Sequence, residues 1–586
     1  MIRSRLSPFT MSNRRPGIFV LGILAASVLL ILGACATRAP VQNLAPPSPA
    51  GLPEMRAMAM APLPYPSPQA GMGALTASAS GGADAYAQIG QRPAWNTEEY
   101  DRIVDNPFLD SLGNPLSTFS IDVDTASYSN LRRFLFEERS LPPKDAVRIE
   151  ELVNYFPYGY AAPKGSEPLA AYLSMMKAPW NTDHHLLRVA VKAAEIPTDK
   201  LPPSNLVFLL DTSGSMDDEN KLPLLKEGLR ILVKNLKASD RVSIVAYAGN
   251  AGLVLPATPG DKGQIIMAAV ERLQAQGSTA GSQGLQLAYK IAKEQFIKGG
   301  NNRVILATDG DFNIGISSTS ELERYIEKQR EEGIYLTVLG LGMGNYKDAR
   351  METLADKGNG NYAYIDNLLE AKKVLGKEIW GTIYAVAKDV KIQIEFNPAL
   401  VKRYRLIGYE NRLLAKEDFN DDTKDAGEMG SGQTVTALYE LVLAESLGGP
   451  KEAANVPGSP GSPGTPPVDP LAFQTVTVQP SDDLLVFKLR YKLAKHGGEE
   501  SILMASRLPA TSASAEAMNE AAKSDDFNFV SAVAEFGMLL RESPYKAQAS
   551  WKALMDRARR AKGADPEGYR AEFIKMAEMA QLLMER

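Results

Sequence analysis

The sequence NLVFLLDTSGSM, residues 205–216, joins an apolar run to a short polar loop. Five consecutive apolar residues, 206–210, are typical of a β-strand buried on both faces, and the polar residues then follow at its carboxyl end. Ligands bind at that end of the strands in open α/β sheets. Asp211, Ser213 and Ser215 offer hard oxygen ligands of the kind that Mg²⁺ or Mn²⁺ prefers, and a glycine between the serines allows a tight turn. We therefore expect part of a divalent metal site here.

Two later segments can supply the missing ligands. Thr279 lies in the sequence GSTAG, residues 277–281, which opens an apolar helix. Asp309 directly follows a second apolar run, residues 303–308, which has the composition of another buried strand. We expect these acidic and hydroxyl side chains to lie on loops rather than in the core of the domain.

The order Asp-x-Ser-x-Ser, then Thr, then Asp resembles the metal-ion-dependent adhesion site of von Willebrand factor type A domains. The resemblance implies one Mg²⁺ or Mn²⁺ ion bound by Asp211, Ser213, Ser215, Thr279 and Asp309. It also implies that the carboxylates often act through water, so that the ion stays electrophilic and a Glu or Asp carboxylate of a protein partner completes its ligand shell. The alternative is that these residues merely cap a helix and form a turn, a common use of Asp and Ser that does not explain three separate matches.

The composition of the chain excludes several kinds of partner and of metal site. The chain has 586 residues, 45% of them hydrophobic, and a formal net charge of -5, which indicates a globular protein of two or three domains. Because no basic block follows the first residues, nucleic acid is not an expected partner. A single cysteine, Cys35, excludes an intramolecular disulfide and a cysteine-based zinc site. Three histidines do not have zinc-ligand spacing, and the adjacent pair, His184 and His185, is expected to be solvated in a turn.

The first residues have the pattern of an export signal. Four arginines precede the apolar run at 18–32, and the sequence LGAC, residues 32–35, resembles the bacterial lipobox, in which the cysteine becomes the lipidated first residue after cleavage. An uncleaved transmembrane anchor is the alternative, because the run nearly reaches spanning length. The resemblance implies a lipid anchor on Cys35, and Ala36 in place of Asp favours the outer membrane, facing the periplasm.

Domain boundaries follow from changes in composition. We expect a lipoprotein signal peptide at 1–34, then a disordered tether at 35–92 that is rich in Pro, Ala, Met, Ser and Gly. Residues 93–202 are predicted to contribute helices and β-strands, and residues 203–384 form the type A domain. Residues 385–586 are predicted to form a β unit followed by helices, with a disordered Pro/Gly/Ser loop at 448–470.

The fold class follows from the order of the predicted elements. Alternating strands and helices across 203–384 predict an α/β fold with a doubly wound, mostly parallel sheet. Four strands, predicted at 390–396, 403–409, 434–443 and 484–491, have no helical partners, so they should form an antiparallel, β-sandwich-like unit. Their natural partners are the two strands predicted at 168–177 and 185–196, which would insert the type A domain in that unit or flank it. Residues 527–540, 549–560 and 569–583 have helical spacing and predict a helical C-terminus.

Three other short motifs each depart from the functional pattern that they resemble. The glycines at 340, 342 and 344 follow a strand, but the third is misplaced for a dinucleotide loop, so no nucleotide is expected. Residues 122–125 (DVDT) superficially resemble a phosphatase nucleophile motif but lack its later Thr or Val, and are interpreted as a helix start. Residues 418–422 (DFNDD) resemble the start of an EF-hand, but the required glycine and the bidentate glutamate are missing.

The wider arrangement resembles an uncharacterised family of bacterial type A lipoproteins with family-specific N-terminal and C-terminal segments. The resemblance is carried by NPF at 106–108, DAGE at 425–428 and TALYE at 436–440, beside the type A domain. It implies architecture more than function. Two alternatives to partner binding stay open: a structural envelope protein whose metal only stabilises the fold, and a metal-assisted hydrolase using Asp311 or Asp217 as a base. Because the chain has no common hydrolase motif and no usable histidine base, we expect it not to be an enzyme.

Overall fold

A computed structural model describes residues 98–248, 250–277, 281–310, 319–343, 347–424, 426–444, 481–494 and 500–586. The predicted lipidation site, the tether, Thr279, Asp311 and the loop at 448–470 lie outside these residues. The strands are β1 (Leu109–Asp110), β2 (Leu116–Ser120), β3 (Leu169–Ala178), β4 (Asn181–Ala193), β5 (Ser204–Asp211), β6 (Arg241–Ala248), β7 (Asn250–Pro259), β8 (Asn301–Thr308), β9 (Tyr335–Leu341), β10 (Tyr362–Ile365), β11 (Ala385–Phe396), β12 (Val401–Ile407), β13 (Gly427–Gly430), β14 (Thr434–Leu443), β15 (Asp483–Leu493) and β16 (Ser501–Pro509).

Helices lie before the central sheet, within the part of the chain that forms it, and at the C-terminus. They are α1 (Ala126–Arg133), α2 (Ile149–Asn154), α3 (Leu222–Val233), α4 (Gly263–Glu271), α5 (Gly281–Glu294), α6 (Thr319–Glu331), α7 (Asp348–Lys357), α8 (Leu368–Lys372), α9 (Ile379–Ile383), α10 (Ala515–Ala521), α11 (Asp525–Arg541), α12 (Trp551–Arg560) and α13 (Tyr569–Met584). In the part of the chain that these elements cover, no helix combines the length and apolarity needed to cross a bilayer.

The central sheet has the strand order β10-β9-β8-β5-β6-β7. All neighbours are parallel except β7, which runs antiparallel to β6 at the edge. Alternate residues of β5 enter two different cores, because Phe208 and Leu210 face one layer of helices while Val207 and Leu209 face the other. The sheet is therefore covered on both sides, and the predicted doubly wound α/β fold is confirmed.

Two antiparallel sheets combine strands from before and after the central sheet. The first has the order β1-β12-β14-β4-β3, and the second has the order β13-β11-β15-β16 with β2 also paired to β11. Their facing sides share one core, which includes Val189 and Tyr439 from the first sheet and Ile392 and Phe487 from the second. In the sequence, β4 precedes the strands of the central sheet and β14 follows them, yet β4 and β14 pair with each other. The type A fold is therefore inserted in a β-sandwich, as predicted.

The predicted helical C-terminus is also confirmed. Helix α11 is almost completely buried and packs against α2 and α12. Its aromatic residues Phe529 and Phe536 meet Phe573 of α13 edge to face. The same core contains Leu438 of β14, so these helices cover the outer side of the first antiparallel sheet.

One local prediction is wrong. The sequence suggests a turn that extends to the two adjacent histidines, whereas β4 already begins at Asn181 and pairs with β3. His185 is buried in that strand, and His184 Nδ1 lies 2.5 Å from Glu440 Oε1. The histidines are thus part of the packed first sheet rather than a solvated turn.

Candidate metal centre

The loop after β5 donates a hydrogen bond to the acidic residue that ends this strand. Asp211 is the last residue of β5, and its Oδ1 accepts a hydrogen bond of 2.9 Å from the backbone N–H of Ser213. The hydroxyls of Ser213 and Ser215 lie 3.0 Å apart. A 3-10 turn, Gly214–Asp217, follows, so the two hydroxyls and the carboxylate occupy one short bend, as the spacing predicts.

Strand β8 brings the second acidic residue beside the first. Thr308 ends β8, and its hydroxyl donates to Asp211 Oδ2 over 3.0 Å. The hydroxyl of Tyr247, on β6, donates to the same oxygen over 3.1 Å. Asp309 comes next, and Gly310 then turns the chain with a positive φ of 96°, a conformation that glycine adopts without strain. The three neighbouring parallel strands therefore converge on one carboxylate.

Both acidic side chains are buried, and Asp211 belongs to β5, which corrects the expectation that these residues lie on loops rather than in the core of the domain. Asp211 is 0% exposed and Asp309 is 2% exposed. Burial raises the pKa of Asp211 above its ordinary value, because a charged carboxylate loses hydration, while the hydrogen bonds from Ser213 oppose the shift. A cation near Asp211 would favour the ionised form.

Sequence reasoning missed a cation that is part of the centre. Lys221 is 6% exposed, and its Nζ donates to Asp309 Oδ2 over 3.1 Å and to the carbonyl of Ser215 over 2.9 Å. One signal could have found it, since Lys221 stands at the N-cap of α3, where the helix dipole disfavours a positive charge. Such a local conflict often marks a functional position.

The remaining predicted ligand cannot be placed, because Thr279 is outside the described residues. The loop before it does reach the centre, since the N–H of Gly214 donates to the carbonyl of Gly277 over 3.0 Å. Of the two residues considered as a catalytic base, Asp217 is exposed at the end of the 3-10 turn, and Asp311 is not described. The structure therefore brings together Asp211, Ser213, Ser215 and Asp309.

The described side chains fit a divalent cation. Asp309 Oδ1 is buried and has no hydrogen-bond partner among the described residues, and a buried carboxylate oxygen left unpaired is costly unless something binds it. Hydroxyl and carboxylate oxygens are the hard ligands that Mg²⁺ or Mn²⁺ takes. Among the residues with described coordinates, no group of three or more His, Cys, Asp and Glu side chains could hold a metal. A site here would thus depend on hydroxyl ligands as much as on its two carboxylates.

The other acidic motifs have structural roles. Asp124 Oδ1 accepts the N–H of Tyr362 over 3.0 Å, and Asp122 pairs with Arg412 at 3.3 Å. Asp422 pairs with Arg490 at 3.1 Å. These contacts anchor the strands and loops that carry them.

Known families match the three parts of the chain. Residues 206–311 match the family described as von Willebrand factor type A domain, and residues 94–188 match the one described as von Willebrand factor. Residues 381–583 match the family described as the C-terminal part of the uncharacterized protein YfbK. The fold, the site and these matches define a von Willebrand factor type A protein.

A relative that matches most of the chain shows the family. The uncharacterized protein YfbK of Escherichia coli strain K12 is 44% identical over 491 residues, a match that covers 83% of this chain and 81% of that protein. The chain belongs to the YfbK family, which confirms the predicted membership in an uncharacterised type A family with its own flanking segments.

More distant proteins share parts of the chain. The uncharacterized protein sll0103 of Synechocystis is 29% identical over 332 residues, covering 54% of this chain and 77% of that protein. A solved structure, the von Willebrand factor type A protein from Catenulispora acidiphila, aligns with a TM-score of 0.37 and 16% identity over 70% of this chain and 90% of that one. A score at this level supports no conclusion about function.

Proposed function

We propose that this protein binds a protein partner through a divalent metal ion, Mg²⁺ or Mn²⁺, at the ends of β5 and β8, and that it catalyses no reaction. The observation that carries the proposal is Oδ1 of Asp309, which is buried and has no hydrogen-bond partner among the described residues. In the same centre, Lys221 donates hydrogen bonds to Asp309 Oδ2 and to the carbonyl of Ser215. Asp211, Ser213, Ser215 and Asp309 would hold the ion, and we propose Thr279 as a further ligand. The bound ion would supply a Lewis-acidic position for a Glu or Asp carboxylate of the partner.

The surroundings of the two carboxylates support binding rather than proton transfer. Both oxygens of Asp211 already accept hydrogen bonds, from Ser213, Tyr247 and Thr308. One oxygen of Asp309 accepts from Lys221. These bonds fix both carboxylates in place, occupy the two oxygens of Asp211 and leave Oδ1 of Asp309 for the ion. Rigid placement of a few oxygen ligands is what a binding site requires.

The protein's place in the cell is also part of the proposal. We propose that Cys35 carries a lipid that holds the protein at the cell envelope, at the outer membrane and facing the periplasm, and that residues 35–92 form a flexible tether. A flexible chain of that length reaches about 40 Å at about 5.5 Å per square root of residue number. The binding site could then meet partners well above the bilayer.

Partner capture tests the proposed binding. The purified protein is incubated with envelope extract in Mg²⁺ or in EDTA, beside a variant carrying Ser213→Ala and Ser215→Ala. We expect partners that are retained only by the wild type in Mg²⁺ and that are released by high concentrations of acetate. Thr279→Ala should keep part of the metal affinity and lose the partner, since in the family this ligand often becomes direct only in the ligand-bound state. Identical partners in Mg²⁺ and EDTA would contradict the proposal and favour a purely structural metal.

Metabolic labelling tests the membrane attachment. The wild-type protein should incorporate a fatty acid, and Cys35→Ser should not, because stable attachment would depend on the acyl chains. Shortening the tether between Cys35 and Gln91 should leave binding in solution unchanged and weaken function in cells, since reach sets the effective concentration near the partner. An unlabelled wild-type protein would rule out lipidation.

A further inference from the structure

Lys221 is held in the centre by contacts on several sides. Its Nζ lies 3.1 Å from Asp309 Oδ2 and 2.9 Å from the carbonyl oxygen of Ser215. Asp218 Oδ2 is 3.3 Å away, but that carboxylate is 72% exposed, so solvent screens its effect. The ammonium group is therefore a fixed neighbour of the proposed metal ligands.

The loop after β9 is shaped to admit this side chain. A Cβ on Gly342 would lie 2.2 Å from Cε of Lys221 and 2.8 Å from both Cδ and Cγ. The carbonyl of Gly342 is itself fixed by a 2.6 Å hydrogen bond from the hydroxyl of Tyr364. The aliphatic part of Lys221 thus packs against the backbone of Gly342, and any larger side chain at that position would collide with it.

The charges of the buried groups determine what the centre attracts. Asp211 and Asp309 contribute two negative charges when ionised, and Lys221 contributes one positive charge. Without the lysine, a divalent cation would be neutralised by the two carboxylates. With it, the same loaded centre keeps one positive charge. Buried charges interact strongly, because water screens them little.

We propose that Lys221 is a charge-balancing residue that weakens metal binding and strengthens the binding of an anionic ligand to the loaded centre. The inference rests on the proposed metal-dependent function and adds the residue that tunes the preference of the same site for an anionic ligand. In the metal-free protein the lysine partly neutralises Asp309, and in the loaded protein its charge adds to the attraction for the carboxylate. The two affinities should therefore change in opposite directions when the charge is removed.

Lys221→Gln removes the charge and keeps a hydrogen-bond donor, and Lys221→Met removes both. Lys226→Met is the matched control, because Lys226 lies on the same helix but donates to the carbonyls of Glu271 and Leu273. Mn²⁺ affinity is measured by calorimetry on the full chain. Acetate affinity of the Mn²⁺-loaded protein is then measured by water-proton relaxation, which reports displacement of metal-bound water.

We expect both Lys221 variants to bind Mn²⁺ about tenfold more tightly and acetate about threefold more weakly than the wild type, as the loss of one nearby buried charge implies. The control should match the wild type in both. A Gln variant with unchanged or weaker Mn²⁺ affinity would overturn the inference and leave the proposed metal site standing. A wild type that binds no Mn²⁺ would overturn the proposed function and this inference together. If the Met variant does not fold, the Gln variant alone decides.

Discussion

At Gly342 the side chain is a hydrogen atom, and the aliphatic chain of Lys221 occupies the space that a methyl group would need. The residue also has a positive φ of 72°. Two separate costs thus oppose any larger side chain at this position, one from the backbone and one from the lysine. They can be separated by experiment.

Gly342→Ala should lower the free energy of unfolding by about 2 to 4 kcal/mol, combining the left-handed backbone with overpacking. In a Lys221→Ala background the overpacking disappears, so the same substitution should cost only about 1 kcal/mol. Chemical denaturation of the four proteins in this double-mutant cycle gives the coupling directly. Strictly additive effects would show that the side chain of Lys221 does not pack against Gly342.

Glu150 should make stability depend on pH. Burial, with the nearby charge of Glu410, raises the pKa of Glu150 to about 7, while Arg541 opposes the shift. Its Oε2 atom is buried without a hydrogen-bond partner in the described part of the chain. Because the folded pKa lies above the unfolded one, the folded protein binds this proton more tightly. The stabilisation is full at low pH and is lost as pH rises from about 4.5 through about 7.

Glu150→Gln removes this titration. Relative to the wild type, the variant should gain about 2 kcal/mol of stability between pH 5 and pH 8. Urea denaturation at both pH values measures the difference. Parallel pH profiles of the two proteins would mean that Glu150 is ionised throughout.

Some features of these residues could be predicted from sequence and others could not. Asp211, Ser213, Ser215 and Asp309 could be proposed as metal ligands because each acidic residue directly follows a strongly apolar strand and the two serines come shortly after Asp211. The burial of the carboxylates and the pairing of Lys221 with Asp309 depend on chain segments that are distant in sequence. Spacing within one segment carries no information about such contacts.

At the scale of elements, the longest apolar runs were predicted within a few residues. The strand predicted at 434–443 has those bounds in the structure. Strand β16 was missed because it lies at a sheet edge with mostly exposed or half-buried side chains, which removes the hydrophobic alternation. The segment from α8 to α9 was missed because a π-helical turn at Lys373–Glu378 interrupts the regular helical period.

Helix α11 offers a test of element packing. A Cβ on Gly537 would lie 2.7 Å from Cγ1 of Ile149 and 3.5 Å from Cδ1 of Leu152, both on α2. Alanine is favoured over glycine in a helix by about 1 kcal/mol, but overpacking costs about 1 to 3 kcal/mol. Gly537→Ala should therefore lower the melting temperature. Gly113→Ala, where no atom lies within 4 Å, is the control and should not. A stabilised Gly537→Ala variant would show that the two helices are not in such close contact.

At the scale of the whole molecule, a buried arginine joins three parts of the chain. Arg132 of α1 donates to Asp366 over 2.6 Å and to Glu370 of α8 over 2.7 Å. It also reaches Glu572 of α13 over 2.8 Å. One side chain from before the central sheet thus connects that sheet's last loop to the C-terminal helix. We expect the parts to unfold together.

Arg132→Met should lower the free energy of unfolding by about 3 to 5 kcal/mol, because it removes the buried cation that Asp366 and Glu370 share. Differential scanning calorimetry should show one transition for residues 98–586 in the wild type and a broadened or divided one in the variant. Lys144→Met is a suitable control, since its pair with Glu542 is exposed on both sides. Two transitions in the wild type would contradict the cooperative unit.

The insertion of the type A fold in a β-sandwich was predictable because the flanking strands had no partners of their own. The register could not be predicted. Strands β4 and β14 are more than 200 residues apart, yet Val191 pairs with Val435 and His185 with Leu441. Pairing over such a distance is set by the shared core between the two sheets rather than by any local signal.

The central claim is that the serine pair after β5 takes part in binding a divalent metal ion. After replacement of both serines with alanine, Asp211 keeps the hydrogen bonds from the backbone N–H of residue 213 and from the hydroxyls of Tyr247 and Thr308, so the fold should be preserved. The measurement is a calorimetric titration of Mn²⁺ into the wild type and the double variant, with unfolding followed on the same samples. We expect the wild type to bind one ion and the equally stable variant to bind at least about tenfold more weakly, a loss of about 1.4 kcal/mol or more. Equal Mn²⁺ affinity in the two proteins would contradict the claim.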